Sequence, residues 1–254
     1  MWLSVAERRT PAPEHVELLM EAPDLARSLR PGQFAHVRTD GILRRPLSFS
    51  RVDGQRVGLL FRIVGQGTAW LADRRPGDDV EVLAPLGRGF PDPPPGPLCL
   101  VGGGVGVPPL HLGAQRWADR PDARVIIGAR RADDLLMAEE FAALGFGVDL
   151  TTDDGSRGEP GRVTAPLERW LARHPDGAVM ACGPTAMLAA VAAMVEPSRP
   201  SWFAFEQRMG CGVGACLACV VPGWAAGSPR WVRVCTEGPV FARDELNWAA
   251  LSGR

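Results

Sequence analysis

Hydrophobic and polar residues alternate in short runs through the first part of the chain. The runs cover residues 15–20, 33–38, 57–64 and 79–83. The turn-forming pairs Pro31-Gly32, Asp53-Gly54 and Pro76-Gly77 lie between them. Period-two alternation bounded by glycine and proline is typical of half-buried strands, and short strands at this spacing favour an antiparallel sheet that closes on itself. We therefore predict an antiparallel β-barrel over residues 1–94.

The pattern changes after a proline-rich segment, P-D-P-P-P-G-P, at residues 91–97. Proline cannot donate to a sheet or continue a helix, so this segment is predicted to be a stiff linker. Short apolar runs follow at 98–101, 124–127, 148–151 and 178–181, and a helical stretch at 109–118 follows the first of them. Strand–helix alternation indicates a parallel sheet with helices on both faces. We predict an α/β nucleotide-binding domain over residues 95–200.

The last part of the chain, residues 201–254, is rich in cysteine, glycine and tryptophan and has little periodicity. A segment of this size with so little apolar core usually needs a metal or disulfides to fold. The predicted fold class is therefore β plus α/β, in three parts: a barrel, a parallel-sheet domain and a small C-terminal metal-binding segment.

Charge and hydropathy narrow the possible partners and location of the protein. The 254 residues include 28 Lys and Arg against 29 Asp and Glu, which gives no electrostatic case for a nucleic-acid partner. The N-terminus lacks the apolar core of a signal peptide, and no apolar run approaches the roughly 20 residues of a membrane helix. We therefore predict a cytoplasmic protein without a membrane span. Its six cysteines then need an explanation other than disulfides.

Four of the cysteines have the spacing of an iron–sulfur site. Cys211, Cys216 and Cys219 form C-x4-C-x2-C, and Cys235 follows further on. This local spacing is the plant-type [2Fe–2S] pattern. Four thiolates must converge on two irons and two bridging sulfides, so a single loop that supplies three of them has to wrap tightly around the cluster. These four cysteines are the predicted metal ligands.

The glycines of the same loop agree with the prediction of a [2Fe–2S] site. Gly210, Gly212 and Gly214 are predicted to take positive φ and to bring backbone N–H groups toward the sulfurs. A structural zinc site also uses four thiolates, but zinc ribbons prefer two C-x2-C knuckles and this chain has one. Cys99 lies in an apolar strand context, where a free cysteine is usually a small buried hydrophobic residue.

A flavin site is predicted from the barrel half of the chain. Arg45-Pro46-Leu47-Ser48, placed near the end of a strand, offers a guanidinium fork and a hydroxyl to a diphosphate. Leu60-Phe61-Arg62 adds a second cation, and G-x-G-T with Gly67 and Thr68 precedes a helix predicted at 69–72, whose N-terminus suits a phosphate. R-P-L-S alone is also compatible with a plain β-turn. The predicted flavin-binding residues are Arg45, Pro46, Leu47, Ser48, Leu60, Phe61, Arg62, Gly67 and Thr68.

A nucleotide site is predicted from a glycine-rich strand-to-helix connection. The segment V-G-G-G-V-G-V-P-P-L at residues 101–110 is not the G-x-G-x-x-G fingerprint, but its glycines allow close backbone approach and the following helix N-terminus would face a pyrophosphate. Cys182-Gly183-Pro184 follows the fourth strand, at the carboxyl edge where open α/β sheets bind ligands. The predicted nucleotide-binding residues are Gly103, Gly104, Gly106, Cys182, Gly183 and Pro184.

Two further segments of the predicted nucleotide-binding domain each have two possible roles. Asp153-Asp154-Gly155-Ser156 follows a strand and offers ribose or amide contacts, although such a segment is more often a solvated turn. Arg130 and Arg131 follow another strand, and they either grip a 2′-phosphate or are surface charges.

The order of these motifs resembles the ferredoxin–NADP reductase superfamily over nearly the whole chain. More narrowly, E-Q-R-M-G-C-G-V-G-A-C-L-A-C-V at 206–220, V-C-T-E-G-P-V-F at 234–241 and T-D-D-G-S-x-G at 152–158 resemble the electron-transfer subunits of class 1B dihydroorotate dehydrogenases. The last cysteine follows Cys219 far sooner than in plant ferredoxins. The chain also departs from the superfamily pattern in having no tyrosine, so an aromatic ring against a flavin must be Phe or Trp.

The resemblance implies FAD on the R-P-L-S, L-F-R and G-T residues, and a [2Fe–2S] cluster on the four cysteines. It also implies electron transfer between NAD(H) and an FMN-containing dihydroorotate dehydrogenase catalytic subunit, in a heterotetramer and in pyrimidine biosynthesis. A nicotinamide gives up two electrons as hydride and a cluster takes one at a time, so the flavin must lie between them. Hydride transfer needs no acid or base from the chain, and no catalytic residue is predicted.

Other functions share part of this pattern. Reductase subunits that use NAD(P)H with a sulfur, hydrogenase or quinone partner are the alternative within enzymes, and a zinc-stabilised regulatory or scaffold protein is the alternative outside them. Trp224, Trp231 and Trp248 either form a partner interface with the cysteine loop or fill a small core.

Overall fold

The N-terminal barrel is built from six strands and two short helices. The structure, a computed structural model, describes residues 1–120, 122–225 and 227–252. The barrel elements are β1 (Trp2–Ala12), β2 (His15–Glu21), α1 (Pro23–Ser28), β3 (Phe34–Val37), β4 (Arg45–Asp53), β5 (Arg56–Arg62), α2 (Gln66–Ala72) and β6 (Asp79–Leu86). The strands pair antiparallel and close in the order β1-β2-β5-β4-β3-β6. The predicted barrel is confirmed.

Two placements within the barrel differ from the sequence-based expectations. Arg45 is the first residue of β4, so R-P-L-S lies at the start of a strand and not near its end. Helix α2 begins at Gln66, so Gly67 and Thr68 form its first turn instead of preceding it. The Thr68 hydroxyl explains this early start, because it accepts hydrogen bonds from the backbone N–H groups of Val64 (2.9 Å) and Gly65 (3.1 Å).

The second half of the chain forms a mostly parallel sheet. Its elements are β7 (Leu98–Gly103), α3 (Val107–Trp117), β8 (Arg124–Ala129), α4 (Ala138–Ala143), β9 (Gly147–Thr152), β10 (Glu159–Pro160), α5 (Thr164–Arg173), β11 (Ala178–Cys182), α6 (Thr185–Met194), β12 (Ser201–Ala204), β13 (Val220–Ala225), β14 (Ser228–Arg233), β15 (Val240–Ala242) and α7 (Trp248–Ser252). The strand order is β10-β9-β8-β7-β11-β12-β15, parallel except for β15. The sheet therefore continues past residue 200.

Helices cover both faces of this sheet, as the continuous apolar strands require. Leu98, Leu100 and Ile127 pack on one face against α3 and α4. Cys99 and Val101, their neighbours in sequence, point to the other face, where α5, α6 and α7 pack. No helix within the described residues is long and apolar enough to cross a bilayer.

The C-terminal segment shares its apolar core with the nucleotide sheet. Val221 and Val232 of the β13–β14 hairpin lie in the same buried cluster as Phe203 of β12 and Leu188 of α6. Phe34 of the barrel also belongs to this cluster. Three parts of the chain are thus packed together where the predicted cofactor residues converge.

Candidate functional site

A cavity of about 690 Å³ opens where the barrel, the parallel sheet and the C-terminal segment meet. Eleven of the predicted cofactor residues line it: Arg45, Pro46, Leu47, Ser48, Leu60, Phe61, Arg62, Thr68, Gly106, Cys182 and Gly183. Segments distant in sequence are therefore brought to one place. The lining also includes Phe34, Phe205 and Met209, which the sequence reasoning did not single out.

The flavin motifs of the barrel meet each other at one edge of this cavity. The guanidinium of Arg45 lies against Gly67, where an added Cβ would stand 2.9 Å from both Nε and Nη2. The Nη1 atom donates to the backbone oxygen of Leu43 at 2.6 Å, which holds the side chain in this orientation. R-P-L-S and G-x-G-T are thus one structural unit, and a guanidinium beside a helix start is suited to a phosphate.

Two of the other polar side chains predicted for this site, Arg62 and Thr68, are already engaged. Arg62 pairs with Glu14 at 2.8 Å, so its charge is shared with a carboxylate. The Thr68 hydroxyl caps the start of α2, and it donates in turn to the backbone oxygen of Gly65 at 2.9 Å. Arg62 and Thr68 therefore border the cavity while making structural contacts of their own.

The glycine-rich connection of the sheet packs directly on the C-G-P segment. A Cβ on Gly106 would stand 2.6 Å from the backbone nitrogen of Gly183 and closer still to the carbonyl oxygen of Cys182. A Cβ on Gly103 would meet Met187 Sδ at 2.7 Å and Pro184 Cδ at 3.1 Å. Only glycine allows this backbone-to-backbone approach.

Gly104 has a different role in the same connection. It has φ +53° and open space around its Cα, in a 3₁₀ turn between β7 and α3. Gly103, Gly104 and Pro184 are absent from the cavity lining itself. They shape the turn behind Gly106, Cys182 and Gly183.

The loops that follow β8 and β9 contact each other at the carboxyl ends of these strands. The Ser156 hydroxyl accepts from the backbone N–H of Ala132 at 2.7 Å and donates to Asp154 at 2.6 Å. The Ser156 hydroxyl and then the Ser156 backbone N–H, which both donate to Asp154, hold the pKa of Asp154 below its usual value. Arg131 pairs with Asp134 at 3.4 Å. Residues 153–156 are all exposed, as a solvated turn would be, and the Ser156 hydroxyl ties this turn to the loop that contains Ala132.

The cysteine loop directs backbone N–H groups at one sulfur. The Sγ of Cys211 accepts from the N–H groups of Val213 (3.4 Å), Ala215 (3.3 Å) and Cys216 (3.4 Å). These donors, those of Val213 and Cys216 above all, lower the pKa of Cys211 to about 6. The loop therefore stabilises a thiolate, the form that binds iron.

The four cysteines of the C-terminal segment form two pairs. Cys211 interacts with Cys216 near the surface, and Cys219 with Cys235 in the core, where burial and then Cys219 raise the pKa of Cys235 to about 11. Within the described ranges, no three His, Cys, Asp or Glu side chains are placed to hold a single metal ion. Two pairs of thiols are the arrangement that two irons joined by sulfides require, so the donor set fits a [2Fe–2S] cluster.

The glycines of this loop have distinct roles. Gly212 (φ +72°) and Gly214 (φ +83°) take the left-handed conformation that was predicted. Gly210 is not among the positive-φ glycines, so that part of the prediction is wrong. Its lack of a side chain matters instead for space, because a Cβ there would stand 3.3 Å from Cys216 Sγ.

The comparisons with known proteins follow the same division of the chain. Residues 206–247 match the model of the iron–sulfur cluster binding domain of dihydroorotate dehydrogenase B, and residues 100–193 match the oxidoreductase NAD-binding domain. The dihydroorotate dehydrogenase B (NAD(+)) electron transfer subunit of Geobacillus kaustophilus is 42% identical over 96% of this chain and 97% of its own. The chain belongs to the family of dihydroorotate dehydrogenase B electron transfer subunits. The resemblance stated from the motifs is confirmed.

Other relatives and solved structures agree with this family assignment. The electron transfer subunit of Desulforamulus reducens is 39% identical over 93% of this chain and 94% of its own. An NADH-dependent reduced ferredoxin–NADP oxidoreductase, described for flavin-based electron bifurcation, has a TM-score of 0.84 and 28% identity over 99% of this chain and 92% of that chain. A ferredoxin–NADP⁺ reductase from Neisseria gonorrhoeae with bound FAD and NADP shares the fold, with a TM-score of 0.64 and 20% identity over 76% of this chain and 89% of its own.

Proposed function

We propose that this chain carries electrons between NAD(H) and an FMN-containing dihydroorotate dehydrogenase catalytic subunit, as an oxidoreductase subunit of pyrimidine biosynthesis. The cavity shared by the barrel, the sheet and the cysteine segment supports this most directly. A carrier between a hydride donor and a one-electron partner needs its three cofactors side by side. Predicted FAD and NAD(H) residues line this space, and the cysteine segment lines it as far as Met209, two residues before Cys211.

FAD is the group that the barrel side of the cavity suits. Arg45 is available to a diphosphate beside the start of α2, and Ser48 adds a hydroxyl to the lining. Phe34, Phe61 and Phe205 supply the aromatic walls that a chain without tyrosine must draw from Phe or Trp. When bound, FAD accepts electrons as hydride and passes them on singly.

NAD(H) is assigned to the opposite side, where the sheet reaches the cavity. Gly106, Cys182 and Gly183 line the cavity at the carboxyl ends of β7 and β11, together with Val105 and with Ala204 at the end of β12. The carboxyl edge is where open parallel sheets bind nucleotides. Gly103, Gly104 and Pro184 would set the backbone course that lets the pyrophosphate approach.

Replacing Gly106 by alanine is expected to weaken NADH binding selectively. The new Cβ meets backbone atoms of Cys182 and Gly183, which cannot rotate away. Overpacking costs about 1–3 kcal/mol, and about 1.4 kcal/mol corresponds to tenfold in affinity, so we expect about a tenfold or larger rise in the NADH KM for dye reduction. Gly41→Ala is the control, because its nearest neighbour atom would be 3.8 Å away. An unchanged KM at Gly106→Ala would place the nucleotide elsewhere.

The [2Fe–2S] cluster is assigned to Cys211, Cys216, Cys219 and Cys235. The two members of the pair nearest the surface, Cys211 and Cys216, would be the side from which electrons leave. The N–H groups aimed at Cys211 would favour the added negative charge of the reduced state.

The partner surface is assigned to the exposed apolar residues beside this loop. Val213 and Leu217 of the loop are exposed, as are Trp224 and Trp231 of the β13–β14 hairpin. Leu217 and Trp231 also border a groove of about 780 Å³. Exposed apolar side chains grouped around a redox centre are typical of a docking surface.

Trp248, in contrast, fills the core, which was the second possibility for the tryptophans. Its ring centre lies 4.7 Å from that of Phe203, and its Nε1 donates to the backbone oxygen of Arg243 at 2.8 Å. It is therefore left out of the proposed partner surface.

We also place the protein in the cytoplasm. All six cysteines are free thiols, and free thiols that include a cluster-binding set are typical of a reducing compartment.

Reconstitution with the catalytic subunit tests the proposed function. The isolated chain is expected to reduce artificial dyes with NADH and to leave dihydroorotate untouched, because its cavity is assigned to FAD and NAD(H). Adding the FMN-containing subunit should give a stable heterotetramer, measured by light scattering after size exclusion, and should couple dihydroorotate oxidation to NAD reduction. The Cys99→Ser variant is the control, and its complex should couple dihydroorotate oxidation to NAD reduction as the wild-type complex does. Dihydroorotate turnover by this chain alone would contradict the proposal.

A sulfur, hydrogenase or quinone partner is the second candidate. The structural similarity to an NADH-dependent reduced ferredoxin–NADP oxidoreductase over 99% of the chain favours keeping this candidate, since the name of that protein gives ferredoxin and NADP and not dihydroorotate. Failure to form a complex with the dihydroorotate dehydrogenase subunit, with dye reduction intact, would favour this candidate.

A further inference from the structure

His36 is a fully buried residue of β3 whose ring nitrogens are both unused. In the part of the chain that the structure describes, neither Nδ1 nor Nε2 has a hydrogen-bond partner, and the residue is 0% exposed. Buried polar side-chain atoms are satisfied in the large majority of cases, so this exception calls for an explanation. The flavin and cluster motifs do not include His36.

The alternation along β3 turns His36 toward the cysteine segment. Ala35 and Val37 point into the barrel core, whereas Phe34 packs in the cluster that contains Cys219 and Cys235. His36 shares the face of Phe34, since residues two apart in a strand point the same way. The outward face of β3 is thus the contact between the barrel and the cysteine segment.

The ring lies between a flavin motif and a cluster motif. In the sheet, His36 pairs with Pro46 of R-P-L-S. On its other side is Gly212, where an added Cβ would stand 2.8 Å from His36 Nδ1, 3.2 Å from Cγ and 3.4 Å from Cε1. Gly212, which also has φ +72°, therefore has no room for a side chain because the imidazole fills that space.

Backbone groups of the cysteine segment face the imidazole. Burial lowers the pKa of His36, Arg44 and Arg45 lower it further, and the backbone oxygens of Met209 and Cys211 act in the opposite direction. A neutral imidazole has one N–H to donate. The acceptors facing it belong to the segment that carries the first predicted cluster ligand.

We propose that His36 is a positioning residue, which donates its one ring hydrogen to the Met209–Cys211 backbone in the cluster-loaded protein and so holds Cys211 at a set position relative to the flavin cavity. The inference rests on the proposed cofactor sites. Because electron transfer slows steeply as two centres move apart, fixing the loop on the strand that bears R-P-L-S would fix the flavin-to-cluster separation. Groups that orient a metal ligand without binding the metal themselves also tune the metal centre.

Three variants separate the ring hydrogen from the bulk of the side chain. His36→Leu keeps similar bulk and removes both nitrogens. His36→Asn and His36→Gln keep an N–H donor, at two different distances from the backbone of β3. His111→Leu is the matched control, since His111 is also a buried histidine but its Nδ1 lies 3.1 Å from the backbone oxygen of Ser50. The measurements are FAD and iron content per chain, the EPR spectrum of the reduced cluster, and the rate of iron loss to a chelator.

For His36→Leu we expect wild-type FAD content, shifted EPR g-values and about tenfold faster iron loss, because outer-shell changes typically cost 10–100-fold in metal affinity. One of the two amide variants, but not both, should restore the wild-type spectrum, because their N–H groups reach different distances, and His111→Leu should leave the spectrum unchanged. Unchanged spectra and iron loss in His36→Leu, or the same changes in His111→Leu, would overturn the inference.

Two further outcomes keep the test decisive. If His36→Leu fails to fold, the Asn and Gln variants decide, since a positioning role requires their spectra to differ from each other and identical spectra overturn it. A wild-type chain that binds no cluster would overturn the proposed function and this inference with it. A wild-type cluster with unaffected variants would overturn the role of His36 alone.

Discussion

Serine at Cys211, Cys216, Cys219 or Cys235 is expected to remove most of the iron–sulfur absorbance and the EPR signal of the reduced protein. A serine oxygen is a harder ligand than a thiolate and is a poor replacement for it on iron. Outer-shell changes alone cost about 10–100-fold in metal affinity, so loss of a direct ligand should lower the iron content about tenfold or more. FAD content should fall much less, because the flavin residues belong to the barrel. Iron per chain and visible spectra measure both effects.

Cys99→Ser is the matched control for this series. Cys99 lies in β7 with no exposed surface, and burial raises the pKa of its thiol far above the usual value. Serine there should cost some stability and leave the cluster spectrum intact. Loss of the cluster in Cys99→Ser together with its retention in Cys235→Ser would overturn the ligand assignment.

Arg45→Ala is expected to yield protein with little bound FAD. The guanidinium fork beside Gly67 can give a diphosphate two charge-assisted hydrogen bonds, each of which contributes about 1.5–3 kcal/mol. Since about 1.4 kcal/mol is tenfold, the loss should weaken FAD binding about 100-fold or more. Arg45→Lys keeps the charge without the fork and should give an intermediate result. Flavin content after purification and FAD titration of the apoprotein measure the affinity.

Arg56→Ala controls for the loss of a barrel arginine. Arg56 begins β5 and pairs with Asp53 at 2.8 Å, and it does not line the cavity. Its replacement should leave FAD content at the wild-type value. Full FAD occupancy in Arg45→Ala at wild-type affinity would show that the diphosphate binds elsewhere.

The strands that the pattern of residues predicted are those with regular alternation. The predicted runs match β2, β3, β5 and β6. β1 was not predicted, and the strand at R-P-L-S was predicted to end there, whereas β4 begins there. The register of β1 on β2 shifts between Val5 and Glu7 and again between Arg9 and Ala12, which breaks the period of two. β4 begins with Arg-Pro, and its first half pairs with β3 while its second half pairs with β5. The register of β4 on β5 also shifts between Phe49 and Arg51, and such an irregularity breaks the alternation of the two faces.

The cofactor motifs could be recognised because each is a short segment whose residues can contact the cofactor by themselves. A C-x4-C-x2-C loop can surround a cluster, and a glycine-rich turn after a strand can approach a phosphate, whatever the rest of the chain does. The identity of the cofactor residues was therefore predictable from short segments. The family resemblance has the same source, since it rests on the order of those segments.

The sequence by itself thus determined the order of barrel, parallel sheet and cysteine segment, and the residue types offered to each cofactor. Only the tertiary structure decided which motifs touch: Arg45 on Gly67, Gly106 on Cys182, and His36 on Gly212. It also decided that Trp248 is core and that Gly210 is needed for space and not for its φ. The physical reason is that these contacts join residues far apart in the chain. Their geometry follows from strand pairing and packing of the whole molecule, which no local pattern of residues encodes.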